Sequence, residues 1–300
     1  MSSFVLFSAL ALAFYLASTA CYGAAYTLDS PSAPEADRPF GSRVAAFGRP
    51  LLILGIVTQT IATGLWCVLT HLSPFAAKYG TLSVFAWTLA IIYLGFEIRF
   101  RLKALGAAAM LIVSLFLFWA LLHSGRPPAE TRLIETQVIS LHVMAILISY
   151  SLFTLAFVCA LLYLIQNRLL KARKVIGTLR RIPPLATLDN IAFQAVAYGL
   201  PLLTAGLALG IAYLAHLSPP PAASIWLKDP HNLAAYIVWL IYAFYLVARM
   251  ALGWRGVRLQ YILITGLLIA LLLYIVPGPT HRFKTLNRAM VSLPENRDSG

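Results

Sequence analysis

Eight long apolar runs, at about 3–25, 50–71, 80–98, 104–123, 138–166, 190–216, 232–250 and 259–276, constrain this chain more than any motif does. A bilayer core about 30 Å thick is crossed by around 20 residues of helix. Inside hydrocarbon each backbone N–H and C=O must find its partner within the segment, so such a run spans the membrane as a helix. Hydrophobic residues make up 60% of the sequence and charged residues 11%, against roughly 45–50% and about 25% in a soluble domain. A soluble core has no place for that much apolar surface. The expected fold is all-α: a polytopic transmembrane helical bundle of about eight spans. The first run follows no basic segment and exceeds the length of a signal-peptide core, so it reads as a helix and not a cleaved leader.

Charge assigns the sides. The links after spans one, three, five and seven carry Arg38, Arg43, Arg49; Arg99, Arg101, Lys103; Arg168, Lys171, Arg173, Lys174, Arg180, Arg181; and Arg249, Arg255, Arg258, which is 15 of the 23 basic residues. The opposite links hold Lys78, Arg126, Arg132 and Lys228, and the tail holds four more. Lys and Arg collect in short cytoplasmic loops, so both termini are expected outside. The net charge of +13 is then chiefly a record of topology, and nucleic acid drops out as a partner. The basic link 167–189 is suited to anionic membrane lipid, although retention of topology is the commoner explanation. No Asp, Glu, Lys or Arg falls near the middle of a span, and Glu97 sits at an inner end. Ion-coupled carriers keep such groups at membrane depth, so a transporter has only the span count behind it. Cys21, Cys67 and Cys159 stand singly in apolar stretches and form no CxxC pair; they read as packing residues.

On this topology all six histidines, His71, His123, His142, His216, His231 and His281, fall at the outer face. Each reads either as a polar residue at a wet helix end or as a ligand, imidazole being the commonest metal ligand near neutral pH. No Cys or carboxylate lies at ligand spacing, so a compact zinc site is poorly supported. Haem needs only one or two axial ligands, which distant helices can supply. Trp226 reads as part of an aromatic wall or as an interfacial anchor.

Several segments together resemble a known family. HLSPFAAKYGTLSVFAW (71–87), LHV at 141–143 with ISYSLFTLAFVCALLYLIQ, and IPPLATLDNIAFQAVAYGLPLLTAGLALG follow the order of CcsA/ResC-type cytochrome c assembly proteins. So do Trp226-Leu-Lys-Asp229-Pro230 with NLAAYIVWLIYAFYL, GWRG at 253–256, and His281. The likeness covers roughly residues 66–283. It implies that His142 and His281 are axial ligands of haem b, with Trp226 and Asp229 in the haem-contacting segment. The implied role is to hold haem at the outer face of the cell inner (cytoplasmic) membrane and present it to apocytochrome c. A ResB/CcsB-like membrane protein is the implied partner, within a cytochrome c haem lyase complex; no catalytic residue of this chain is indicated. The implied organisation is a first helix and polar inner link over 1–49, an assembly-like domain over 50–283, and a polar outer tail over 284–300.

Two departures separate the chain from that pattern. The family's tryptophan-rich segment has a second Trp where Lys228 stands, and a histidine of an inner haem site where Val247 stands. HemX- and YpjD-type membrane proteins share the span plan and lack a full tryptophan-rich segment. The alternative is therefore a HemX-like protein that regulates or scaffolds haem biosynthesis. Gly206 and Gly210 have a small-xxx-small spacing and read as a helix-packing seam. Pro183-Pro184 is expected to set the turn into span six.

Overall fold

A computed structural model of the chain describes residues 3–27, 38–100, 103–125, 137–172, 183–215 and 230–275. Among these the structure is all-helical. The helices are α1 (Ser3–Thr27), α2 (Arg38–Ala46), α3 (Gly48–Thr70), α4 (Lys78–Phe100), α5 (Gly106–Leu122), α6 (Gln137–Lys171), α7 (Leu185–Ala215), α8 (Pro230–Met250) and α9 (Val257–Ile275). Seven stretches are long and apolar enough to cross a membrane, and the apolar part of α9, Val257–Leu272, is shorter. The eight runs thus each form a helix. Helix α2 is an addition: it lies in the polar link after span one and leads almost directly into α3. The link there is partly helical because its Arg-flanked RPFGSRVAA segment continues toward the apolar run.

The helices pack in two groups. Helix α1 lies against α3 and α5, and α4 against α5 and α3; α6 lies against α7 and α9, with α8 joining α7 to α9. The α4–α6 contact connects the groups, and Thr88 Oγ1 and Ser151 Oγ share a hydrogen bond of 2.7 Å across it. In lipid the hydrophobic effect does not draw helices together, so close packing and interhelical hydrogen bonds do. The first group is tied by Tyr15, whose hydroxyl donates to Gln59 Oε1 at 2.7 Å. The Gln59 amide in turn donates to the Ser83 carbonyl at 2.7 Å, so α1, α3 and α4 share one buried polar chain. The second group centres on Phe153 and Tyr242, stacked at 3.8 Å between centroids.

Charged residues meet at one end of the bundle. Tyr22 Oη donates to Glu97 Oε2 at 2.6 Å, and Arg49 Nη2 lies 3.1 Å from Glu97 Oε1. These contacts bring together the end of α1, the start of α3 and the end of α4. In the second group Arg249 Nη1 donates to Asp189 Oδ2 at 2.6 Å and Gln260 Nε2 to Asp189 Oδ1 at 2.9 Å. The end of α8 and the starts of α7 and α9 meet there. Helix α7 begins at Leu185, so Asp189 lies within its first turns. The Pro184 carbonyl accepts from the Thr187 and Leu188 amides, and α7 begins directly after the Pro-Pro pair.

Two hairpins, α3–α4 and α7–α8, repeat one pattern with the charges exchanged. The indole of Trp87 donates to Thr60 at 2.9 Å and that of Trp239 to Thr204 at 2.8 Å. Each Trp is followed by a buried tyrosine, Tyr93 or Tyr245, and then by a paired charge, Glu97 or Arg249. Both hairpins run the same way through the bundle, so the relation is parallel and not inverted.

Candidate functional site

Three of the described histidines lie at helix ends opposite the ion pairs. Helices α3 and α5 finish there with His71 and His123 at their C-caps, and α6 begins there with His142 in its second turn. Their surroundings differ. His71 is exposed and left-handed, at φ 54°, which ends α3 with its N–H on the Cys67 carbonyl. Ser73 then caps the short turn Pro74–Ala76. That turn folds so tightly onto α4 that a Cβ at Gly80 would lie 1.9 Å from the Pro74 carbonyl oxygen. His123 is exposed, and its Nδ1 bonds the Trp119 carbonyl of its own helix at 3.0 Å.

His142 reaches across to another helix. Its Nδ1 lies 2.6 Å from the Gly206 carbonyl oxygen of α7. A carbonyl only accepts, so Nδ1 carries the proton and donates, leaving Nε2 as the nitrogen with a lone pair when the ring is neutral. Two glycines make room for the ring. A Cβ at Gly210 would stand 2.7 Å from His142 Cε1 and 2.9 Å from Nδ1. At Gly206 a Cβ would stand 3.0 Å from Ile146 Cγ1, so the backbones of α6 and α7 approach closely here. Pro201 lies earlier in α7; it lacks the N–H that would bond back one turn, a loss that transmembrane helices tolerate.

The seam expected from Gly206 and Gly210 is therefore also the seat of a histidine. The spacing was visible in the sequence, but nothing there paired it with a ring 64 residues away. His281, Trp226 and Asp229, with His216 and Lys228, lie outside the described residues. Val247 faces out of the bundle on α8, 54% exposed. Cys159 is buried, Cys21 and Cys67 are half-buried, and no disulfide joins any of the three. Among the described residues no three of His, Cys, Asp and Glu come together as a metal site.

The fold and this end define a class: a polytopic helical membrane protein with ion pairs at one end of its helices and histidines at the other. The chain belongs to the cytochrome c assembly protein family, whose model matches residues 68–277. It is similar to the cytochrome c biogenesis protein CcsA of Guillardia theta, 25% identical over 245 residues, covering 74% of this chain and 79% of that one. It is likewise similar to Protein HemX of Brevibacillus brevis, 26% identical over 211 residues, covering 70% and 75%. A shorter match to CcsA of Prochlorococcus marinus is 41% identical over 88 residues, or 29% of this chain and 27% of that one. The family is thus the CcsA type, with HemX-like relatives. Membership supports a role in cytochrome c biogenesis.

Proposed function

We propose that this protein holds haem b as its substrate at the outer face of the inner (cytoplasmic) membrane and presents it for covalent attachment to apocytochrome c. The observation that carries the reading is the His142 contact with Gly206, which engages Nδ1 and leaves the lone pair of the neutral ring on Nε2. His142 and His281 would be the axial ligands, with Trp226 and Asp229 against the macrocycle. The 15 basic residues at the other end support placing the histidine end outside and both termini with it. Segment 50–283 would be the working domain, with 1–49 packed on it and 284–300 an outer tail.

In attachment, each thiol of the apocytochrome adds S–H across a haem vinyl group, so no atom is lost. The chain's part is ligation and orientation. A site at a helix end leaves a haem edge open to a soluble partner. Val247 supplies no nitrogen where the family pattern has its inner histidine, and its side chain points out of the bundle. Any inner ligation would therefore come from a ResB/CcsB-like partner. The test is the spectrum of detergent-purified protein from haem-replete cells. We expect a Soret band that His142→Ala and His281→Ala each diminish and the double variant abolishes. A band unchanged in the double variant would refute the ligand assignment.

The likeness to Protein HemX over 70% of the chain favours a second reading, a membrane protein that regulates or scaffolds haem biosynthesis without attachment. It expects normal covalent haem staining of c-type cytochromes in a deletion strain. Our first reading expects those bands to disappear.

A further inference from the structure

We infer that Gly206 and Gly210 are positioning residues: they form a cradle that fixes the His142 imidazole in one tautomer, with Nε2 as its only metal-binding nitrogen. The inference rests on the proposed reading of His142 as a haem ligand and adds how α7 prepares it. A histidine side chain has two nitrogens and free rotation, so an unsupported one offers iron either nitrogen in many orientations. Metal-binding histidines are usually held by a hydrogen bond from the other ring N–H, often to a backbone carbonyl, which orients the ring and raises the basicity of the ligating nitrogen.

Here that acceptor is the Gly206 carbonyl at 2.6 Å. The distance is at the short end for an N–H···O bond, and the contact joins two helices, so ring orientation is tied to the α6–α7 packing. This is one of the most extensive helix contacts in the bundle. Gly210 supplies the space. Its Cα faces the Nδ1–Cε1 edge of the ring, where any Cβ would lie within 3 Å of both atoms. The Nε2 side is farther from that position, at 3.4 Å. The ring is thus backed onto a bare strip of α7, with its second nitrogen on the edge away from the acceptor. His123 also has its Nδ1 on a carbonyl, but that carbonyl belongs to its own helix and the ring is exposed. Of these two bonds, the His142 one crosses to a neighbouring helix.

The acceptor is backbone and cannot be deleted by substitution, so Gly210 is the place to intervene. Gly210→Ala puts a methyl group against the ring and must displace it. Gly199→Ala puts one against Phe153 of the same helix pair, 11 residues from Gly210, and leaves the Gly206 carbonyl and the ring untouched, which makes it the packing control.

The test has an apo and a haem-bound arm. In detergent-solubilised apo protein labelled with ¹⁵N-histidine, the His142 resonance is identified by its loss in His142→Asn. The expected wild-type signature is a protonated Nδ1 and a lone-pair Nε2, retained in Gly199→Ala and lost or mixed in Gly210→Ala. In haem titrations Gly210→Ala is expected to weaken binding about 10–100-fold, the usual effect of removing a ligand's supporting bond, and to raise the midpoint potential of bound haem. Gly199→Ala should leave both unchanged. A wild-type His142 protonated on Nε2 would overturn the cradle, and this holds even if Gly210→Ala fails to fold. A Gly210→Ala protein with wild-type signature and affinity would overturn it as well. If His142→Asn binds haem like wild type, the ligand reading fails separately, and with it the positioning role, while the apo signature still reports the tautomer.

Discussion

Removing Arg249 should unlatch the end of the bundle where α7, α8 and α9 meet. Its guanidinium donates to Asp189 at 2.6 Å and lies over the Phe193 ring, 4.7 Å from the centroid. The two side chains are only 13% and 12% exposed. At that distance and an effective dielectric near 20, the Coulomb attraction is about 6 kcal/mol. Taking each ion out of water costs several kcal/mol, so the assembled pair is close to neutral against an apolar replacement. The asymmetry appears on truncation. Arg249→Ala leaves the Asp189 carboxylate with Gln260 as its one remaining donor among the bonds described, and an uncompensated buried charge costs about 3–5 kcal/mol. Asp189→Asn keeps an acceptor for Gln260 and gives up a charge-assisted bond worth about 1.5–3 kcal/mol. The double change Asp189→Leu with Arg249→Met removes both charges and should cost less than Arg249→Ala alone. The measurement is reversible unfolding by SDS from mild detergent micelles, followed by tryptophan fluorescence. If Arg249→Ala unfolds at the wild-type SDS fraction, or the double variant loses as much as the two single losses added together, the pair is not the latch inferred here.

Two further outcomes can be checked. Gly80→Ala requires the Pro74 carbonyl to move, because the added Cβ would sit 1.9 Å from it; an overpacking loss of about 1–3 kcal/mol is expected. In the same SDS titration Gly95→Ala, with nothing within 4 Å of its new methyl, should be neutral or gain up to about 1 kcal/mol of helix propensity. Equal effects of the two would contradict the tight 71–80 turn. For sidedness, single cysteines at Gly125 and Arg255 in a background free of native cysteines should label oppositely. A membrane-impermeant maleimide added to intact cells should reach Gly125→Cys at once, and Arg255→Cys only after permeabilisation. The reverse pattern would put the histidine end inside.

Much of this molecule is legible along the chain. Each of the eight apolar runs forms a helix, because spanning hydrocarbon leaves the backbone no alternative and run length is a local property. Glu97 was visible as a charge at a span's end, and the family was visible in the order of HLSPF, LHV, PPL and GWRG. Helix α2 was not, since a polar nine-residue segment is too short and too poor in apolar residues to stand out as a run, and forms against its neighbours. The parallel relation of the α3–α4 and α7–α8 hairpins was also hidden, because its matching charges are exchanged between acid and base.

The sequence by itself determined the number of spans, the distribution of charge between their ends, and the family. It also set His142 near the start of a span. Only the tertiary structure decided which side chains serve one another: Tyr22 and Arg49 on Glu97, Arg249 and Gln260 on Asp189, and the imidazole of His142 on Gly206. The physical reason is that hydropathy fixes a helix's existence and depth but leaves its rotation and its neighbours free. Those are set by packing between segments far apart in the chain. In this protein a pair of glycines that seemed merely to let two helices touch became the seat of a histidine.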